Sequence, residues 1–426
     1  MAIYNHTFHT EIVVKTFMVC YNILVKIGLL QPKAQHNVDY VAISFYKRGI
    51  VMLKVFVTGD NHIGLKYASH EQAAVLASCR ITAFEGMVET ANQENCALFV
   101  ITGDLFENTY SVSKREIKIL LDALSCFNGT VVVLPGNHDY YDKDVKVWQY
   151  FKDVMTSYDK IMLLAEYHPY KLSANGEDVV LYPALCTSLH SAPGQNNLGW
   201  IKETEIENDG AYHIGIAHGA VEGETIDNEG QYFLMKRSEL EGIPVDAWFI
   251  GHTHVPFPRN LTEEYASGNK IFNAGTHVQT DVSFNTEGQF FIVEIDENKN
   301  VRAKKTTSEN LRFYRKNITV TAGEMENILN RELADIGDNS VVDIILTGAV
   351  SAEEYEDKNK IIDNALSRFV EGTYNDYALS KLISKELIES EFPETSFSAG
   401  LLTSLLDEPK EAQLAYELLK SMKEGK

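Results

Sequence analysis

Val131-Val132-Val133-Leu134-Pro135-Gly136-Asn137-His138-Asp139 is the stretch whose reading decides the fold. Four β-prone apolar residues run into a Pro-Gly turn, so a buried strand is expected to end here and to present Asn137 and His138 at its C-terminal edge. Open α/β folds keep their chemistry at that edge. An Asn carbonyl oxygen is a neutral metal ligand, and a histidine beside it exchanges protons near neutral pH.

The same grammar of apolar strand, small residue and ligand-type side chain recurs on both sides of this stretch. Lys54-Val55-Phe56-Val57-Thr58-Gly59 leads to Asp60-Asn61-His62, and Leu98-Phe99-Val100-Ile101-Thr102-Gly103 leads to Asp104. Further on, His213-Ile214-Gly215-Ile216-Ala217 leads to His218-Gly219, and Ala247-Trp248-Phe249-Ile250-Gly251 leads to His252-Thr253-His254. A single strand-end Asp is ordinarily a turn or cap residue, and a single His an ordinary core or surface residue. Together, Asp60, His62, Asp104, Asn137, His218, His252 and His254 form a ligand set, with His138 as a neighbour outside it.

Between the ligand-bearing strands, Val75, Leu76, Ile81, Phe84 and Val88 mark a helix over 71–94, and Ile117, Leu120, Leu121 and Leu124 mark another over 116–127. Strand and helix alternate from Met52 to about Asp296, which predicts a layered α/β sandwich. The strand-rich segments after Tyr158 are expected to complete a second sheet. Residues 297–310 are polar and read as a crossing into a new unit. Beyond it, strand 317–320, helix 324–333, strand 341–346 and helix 359–369 make a small α+β unit. Amphipathic helices over 380–389 and 401–422 follow, separated by Pro393 and Pro409. The expected organisation is an extension over 1–51, an α/β domain over 52–300, an α+β unit over 311–378 and a helical tail over 379–426.

The chain has 426 residues, 45% hydrophobic and 23% charged, a globular composition. Its net charge of −22 argues against a free-standing nucleic-acid coat. The five cysteines include no C-x-x-C pair and read as reduced, buried thiols of a cytoplasmic protein. Within 1–51, the apolar run from Ile12 to Leu30 is broken by Lys15, Asn22 and Lys26, so neither a membrane span nor a signal peptide is expected. Lys47-Arg48-Gly49 is encodable by a purine-rich stretch like a bacterial ribosome-binding site, so translation is expected to start at Met52.

The ligand set carries imidazole, carboxylate and amide oxygen but no thiolate. That mixture suits manganese, iron or zinc better than magnesium or calcium, and it is not a structural zinc site. Ligands arriving from several strands, with a carboxylate able to bridge, suit two divalent ions about 3.5–4 Å apart, which activate water for in-line attack on phosphorus. Phosphoester hydrolysis is the reaction class that follows.

The series Asp-x-His, Gly-Asp, Gly-Asn-His-Asp, His-Gly and Gly-His-x-His resembles the calcineurin-like metallophosphoesterase superfamily over roughly Met52 to Asp296. Within it, Gly103-Asp104-Leu105-Phe106-Glu107, Gly251-His252-Thr253-His254-Val255-Pro256 and Asn273-Ala274-Gly275-Thr276 resemble the Mre11/SbcD branch of DNA repair nucleases, whose capping domain the C-terminal α+β unit also resembles. The resemblance implies a four-layer α/β/β/α sandwich with a small capping domain and helical tail. It implies one metal on Asp60, His62, Asp104 and His254, and a second on Asp104 as bridge, Asn137, His218 and His252, manganese being favoured. His138 would stabilise the transition state or protonate the leaving sugar oxygen, and Asp139 would orient His138. The resemblance further implies DNA as substrate, a homodimer, and a Rad50/SbcC-like ATPase gripped by the C-terminal helices.

His277 departs from that branch, which often has a small or polar residue there; it is read as a solvated loop residue, with a substrate contact as the alternative. Acidity also departs from it, since only scattered cations (Lys66, Lys143, Lys146, Lys236, Arg237, Arg259) accompany the site. Two other readings therefore stand beside the nuclease. One is a small-molecule phosphodiesterase or phosphatase of the same superfamily, and the other is an inactive scaffold regulating an ATPase.

Overall fold

The computed structural model describes residues 52–224, 227, 229–259, 261, 266–283, 287–308 and 311–423. The reading of 1–51 as an extension lies outside the described residues.

The strands expected from the apolar runs are present: β1 (Met52–Thr58), β2 (Leu98–Ile101), β3 (Thr130–Val133) and β4 (Ile161–Leu163). They pair in parallel, with Val57 beside Val100 and Val100 beside Val132. Parallel neighbours need crossover helices, and the sequence supplies α1 (Ala73–Gln93), α2 (Lys114–Ser125) and α3 (Lys146–Met155). Ser113 starts α2 in a capping box with Glu116, which satisfies donors that the first turn otherwise leaves open.

A second sheet contains β5 (Tyr170–Ala174), β6 (Glu177–Ala184), β7 (Tyr212–His218), β8 (Ala247–Gly251) and β10 (Ile271–Asn273), in the order β10-β8-β7-β6-β5. All neighbours are parallel except β5 against β6. The first sheet continues past β1 into β11 (Gln289–Asp296), β12 (Val301–Thr307) and the short β9 (Ala266–Ser267). Residues 297–310, read from their polarity as a crossing, thus include a strand. Val301 and Ala303 of β12 are buried, but its Arg302, Lys304 and Lys305 disguise the alternation.

Both faces of these strands are apolar because both are covered. Val55, Val57, Leu98, Val100 and Val132 face the second sheet and pack in one cluster with Leu181, Ile214, Ile216 and Phe249. The alternate residues Phe56, Phe99, Ile101, Val131 and Val133 face the helices and pack with Phe84, Met87, Leu120, Leu124 and Phe151. Each such large side chain taken fully from water contributes about 1.5–3 kcal/mol. On the far side, Tyr182, Ala217, Trp248 and Ile250 pack with Ile201 of α4 (Gly199–Lys202) and Leu240 of α5 (Arg237–Gly242). The layers are therefore α/β/β/α, as expected.

The remaining chain forms a third, all-parallel sheet of β13 (Arg312–Thr321), β14 (Ser340–Val350) and β15 (Glu371–Lys381). Its crossovers are α6 (Met325–Leu333) and α7 (Ala352–Leu366), and the tail folds as α8 (Lys385–Glu391), α9 (Phe397–Ser404) and α10 (Pro409–Lys423). Among the described residues, no helix is long and apolar enough to cross a membrane.

Candidate dimetal centre

Five strands end at one place. Asp60 and His62 follow β1, Asp104 follows β2, Asn137 and His138 follow β3, His218 closes β7, and His252 and His254 follow β8. The loops are tightly bent: Asp60, His62, Asp104 and His252 adopt φ of 48°, 45°, 50° and 116°. Non-glycine residues held there cost roughly 1–3 kcal/mol each and concentrate where geometry serves function. Glycine is required beside them, because a Cβ on Gly103 (φ 105°) would lie 2.2 Å from His218 Nδ1, and one on Gly136 would lie 2.2 Å from Asp104 Oδ1.

The side chains converge on a common centre. His62 Nε2 lies 2.9 Å from His254 Nε2 and 3.8 Å from Asp104 Oδ2. Asp104 Oδ2 in turn is 3.3 Å from His218 Nε2. Asn137 Oδ1 lies 2.9 Å from His218 Nε2 and 3.1 Å from His252 Nδ1. Three clusters able to take an ion result: Asp60 with His62 and His254, Asp104 with His218 and His252, and His62 with Glu107 and His138. The three residues Asp60, Asp104 and His218 are almost wholly shielded from solvent.

The donor set fits cations. His218 Nδ1 donates to the Thr102 carbonyl at 2.9 Å, and His62 Nδ1 to the Glu107 carboxylate at 2.9 Å, so both Nε2 atoms turn lone pairs inward. There they meet carboxylate and amide oxygens, which are acceptors too. Lone pairs so placed repel unless a proton or a cation lies between them. Burial alone would push the His218 imidazolium below its ordinary range, but the Asp104 and Asp60 carboxylates lift it to about 9. A divalent ion would take that proton's place. Burial, with neighbouring imidazoles, pushes His252 down to about 4 and His254 down to about 3, so both are neutral and competent as ligands. Burial raises the Asp60 carboxyl to about 7, while at Asp104 the surrounding His218, His62 and His138 outweigh burial and hold it well below the carboxylate range.

His138 belongs to the third cluster, through His62 and Glu107, and stands beside the other two. Its backbone N–H donates to Asp104 Oδ1 at 2.9 Å, and its ring stands edge-on to His62 with centroids 4.9 Å apart. The expected Asp139–His138 contact is corrected by the structure. Asp139 accepts the backbone N–H groups of Gly136 at 2.6 Å and Phe106 at 3.0 Å, cross-linking the loops after β3 and β2. The His138 ring is oriented instead by the Glu107 carbonyl, 3.1 Å from Nδ1. Asp139 sits one residue past the histidine inside a tight turn, so its side chain folds back on the turn's own amides.

Glu107 is thus a functional residue that sequence reasoning quoted in a motif but gave no role. Only its place three residues beyond Asp104 signalled it. Arg80, fully buried on α1, is another, and nothing in the helical pattern marked it. His277 is not a solvated loop residue: it is buried, donates from Nε2 to the Arg80 carbonyl at 2.8 Å and packs against Phe84.

Residues 53–256 match the family model of the calcineurin-like phosphoesterases. That segment is similar to a calcineurin-like phosphoesterase domain. All of Asp60, His62, Asp104, Asn137, His138, Asp139, His218, His252 and His254 lie inside it, and metal-dependent phosphoester hydrolysis is the chemistry of that family. Solved structures similar to the chain include a purple acid phosphatase from yellow lupin (Lupinus luteus) seeds, at 12% identity over 61% of this chain and 52% of that one, with a TM-score of 0.39. They also include a dimetal phosphatase from Danio rerio, at 10% identity over 60% of this chain and 99% of that one, with a TM-score of 0.33.

Proposed function

We propose that the chain is a dimetal-dependent phosphodiesterase that hydrolyses DNA, the nuclease subunit of an Mre11-Rad50/SbcCD-like complex. The observation that carries this reading is the architecture appended to the phosphoesterase segment. A parallel three-stranded sheet with two crossover helices, followed by three tail helices, occupies 312–423, and a small-substrate hydrolase has less need of a separate cap and tail. Exposed Leu414, Leu418 and Met422 repeat every four residues along α10, which supports docking of a helical ATPase partner there. A homodimer and a cytoplasmic location belong to the same reading.

Asp60, His62 and His254 would hold one ion, Asn137, His218 and His252 would hold the other, and Asp104 lies between the two groups. When bound, the ions withdraw charge from the phosphoryl oxygens and activate water, and manganese suits this donor set best, with iron or zinc as alternatives. Glu107 orients His62 for its ion. His138, its Nδ1–H donated to the Glu107 carbonyl, would in its doubly protonated form give the Nε2 proton to the leaving sugar oxygen.

The net charge of −22 favours a second reading, a small phosphodiester as substrate, because a duplex-tracking surface needs cations along its path. The deciding experiment is hydrolysis with added manganese, comparing linear duplex DNA, hairpin DNA and bis-p-nitrophenyl phosphate, for the wild type and Asp104→Ala. DNA cleavage abolished by Asp104→Ala supports the nuclease. Cleavage of the small ester alone transfers the reading to small phosphodiesters.

A further inference from the structure

Arg80 interrupts the buried stripe of α1, between Leu76 and Ala83, and is fully shielded from solvent. A charge taken from water at that cost ordinarily meets a carboxylate. Among the described residues, every hydrogen-bond partner of Arg80 is neutral. Nε donates to the Asn61 carbonyl at 2.8 Å. Nη1 donates to Tyr67 Oη at 3.2 Å and the Val278 carbonyl at 3.1 Å. Nη2 donates to Thr276 Oγ1 at 3.1 Å and, at 3.5 Å, to the Asp60 carbonyl. A guanidinium has five N–H donors in a rigid plane, and here each has an oxygen.

Those oxygens come from places that bear on the metal centre. Asp60 and Asn61 belong to the loop in which Asp60 and His62 both hold positive φ. Thr276 pairs with Gly59 at the base of that loop. Its neighbour Gly275 packs so closely on His254 that a Cβ there would lie 2.8 Å from the His254 carbonyl oxygen. We propose that Arg80 is a positioning residue of the metal centre: its guanidinium locks the Asp60-Asn61-His62 backbone to the Thr276–Val278 loop, holding Asp60, His62 and His254 ready for one of the two ions. The backbone strain at Asp60 and His62 is sustained by this lock, since a loop relaxing from positive φ would carry both side chains out of reach. Asn137 and His218 are placed by β3 and β7, and His252 meets this loop through its backbone N–H on the Asp60 carboxylate at 2.8 Å, so the second ion depends on the lock less than the first.

This inference rests on the dimetal part of the proposed function and is independent of the substrate. The test is manganese titration of the full chain, read as stoichiometry by atomic emission and by electron paramagnetic resonance, which separates an exchange-coupled ion pair from isolated ions. Arg80→Met, and Thr276→Val as the milder variant that removes one acceptor and keeps the charge, are compared with the wild type. In Arg80→Met one ion is expected to weaken by about 10–100-fold, the scale set by loss of an outer partner, while the other is retained and the coupled signal gives way to that of isolated manganese. Thr276→Val should shift the same ion in the same direction by a smaller factor. Two ions bound with wild-type affinity in Arg80→Met, or both ions weakened in parallel, overturns the proposal. If Arg80→Met does not fold, Thr276→Val decides between the same outcomes. A wild type that never binds a second ion overturns this inference and the dimetal reading together, whereas failure to cut DNA touches only the substrate.

Discussion

The Glu107 carboxylate lies 2.9 Å from Nδ1 of His62, a residue 45 positions earlier in the chain. The His62 contacts outweigh burial and hold the Glu107 carboxyl below its ordinary range, so it is an anion facing a ring N–H. A carboxylate in that position fixes the tautomer and raises the basicity of the ring nitrogen that faces the ion. Glu107→Gln keeps an acceptor but loses the charge, and is expected to weaken the ion at Asp60, His62 and His254 by about tenfold; Glu107→Ala should approach about 100-fold. Titration against a competing chelator measures both. The backbone carbonyl that orients His138 survives either change, so equal loss of turnover at saturating metal would contradict this division of roles.

His138→Ala is expected to separate metal binding from chemistry. The ring belongs to neither the Asp60 nor the Asp104 cluster and joins only His62 and Glu107, while its backbone N–H to Asp104 is untouched by the substitution. Metal content should stay at the wild-type level as turnover falls by about 10²–10⁴-fold, the usual contribution of a positioned acid. Atomic emission and bis-p-nitrophenyl phosphate hydrolysis on one preparation suffice. Loss of metal in this variant would make His138 a ligand.

The candidate ligand residues are legible because each stands at the end of a short apolar run, and parallel strands that are buried on both faces leave only their ends free for polar side chains. Val131 to Val133 followed by Asn137, or Ala247 to Ile250 followed by His252, announce strand and site together. What was not legible depends on contacts far apart in sequence. Arg80 is spaced like a core residue and differs from one only by its charge, and the oxygens it meets at Val278 lie 198 residues away. Glu107 reaches His62 across 45 residues. His277 looked exposed because polar turn residues surround it, yet α1 covers it. The strand β15 was missed because Glu371-Gly372-Thr373-Tyr374-Asn375-Asp376-Tyr377 is an edge sequence, largely polar, whose ladder is interrupted by a register shift opposite Ile345 and Thr347.

Glu354 gives the third sheet's helices a measurable acid sensitivity. It closes the capping box of α7 with Ser351, and its two carboxylate oxygens accept backbone N–H groups from Gly323 at 2.8 Å, Ser351 at 2.8 Å and Met325 at 3.0 Å. One side chain therefore ties the start of α6 to the start of α7. Partial burial pushes its carboxyl up, but those three donors outweigh it and hold the group below the ordinary glutamate value. A carboxyl that is more acidic folded than unfolded stabilises fully above its unfolded pKa, about 4.3, and the benefit is lost as pH falls through the lower, folded value. Glu354→Gln is accordingly expected to lower stability at pH 7 by about 1 kcal/mol, the usual worth of a helix N-terminal cap. The gap between variant and wild type should then narrow as the pH drops below about 4 and vanish once the carboxyl is protonated in both states. Urea midpoints followed by circular dichroism across that range test it, and a gap that stays constant down to the lowest pH would mean that Glu354 contributes through packing and not through its charge.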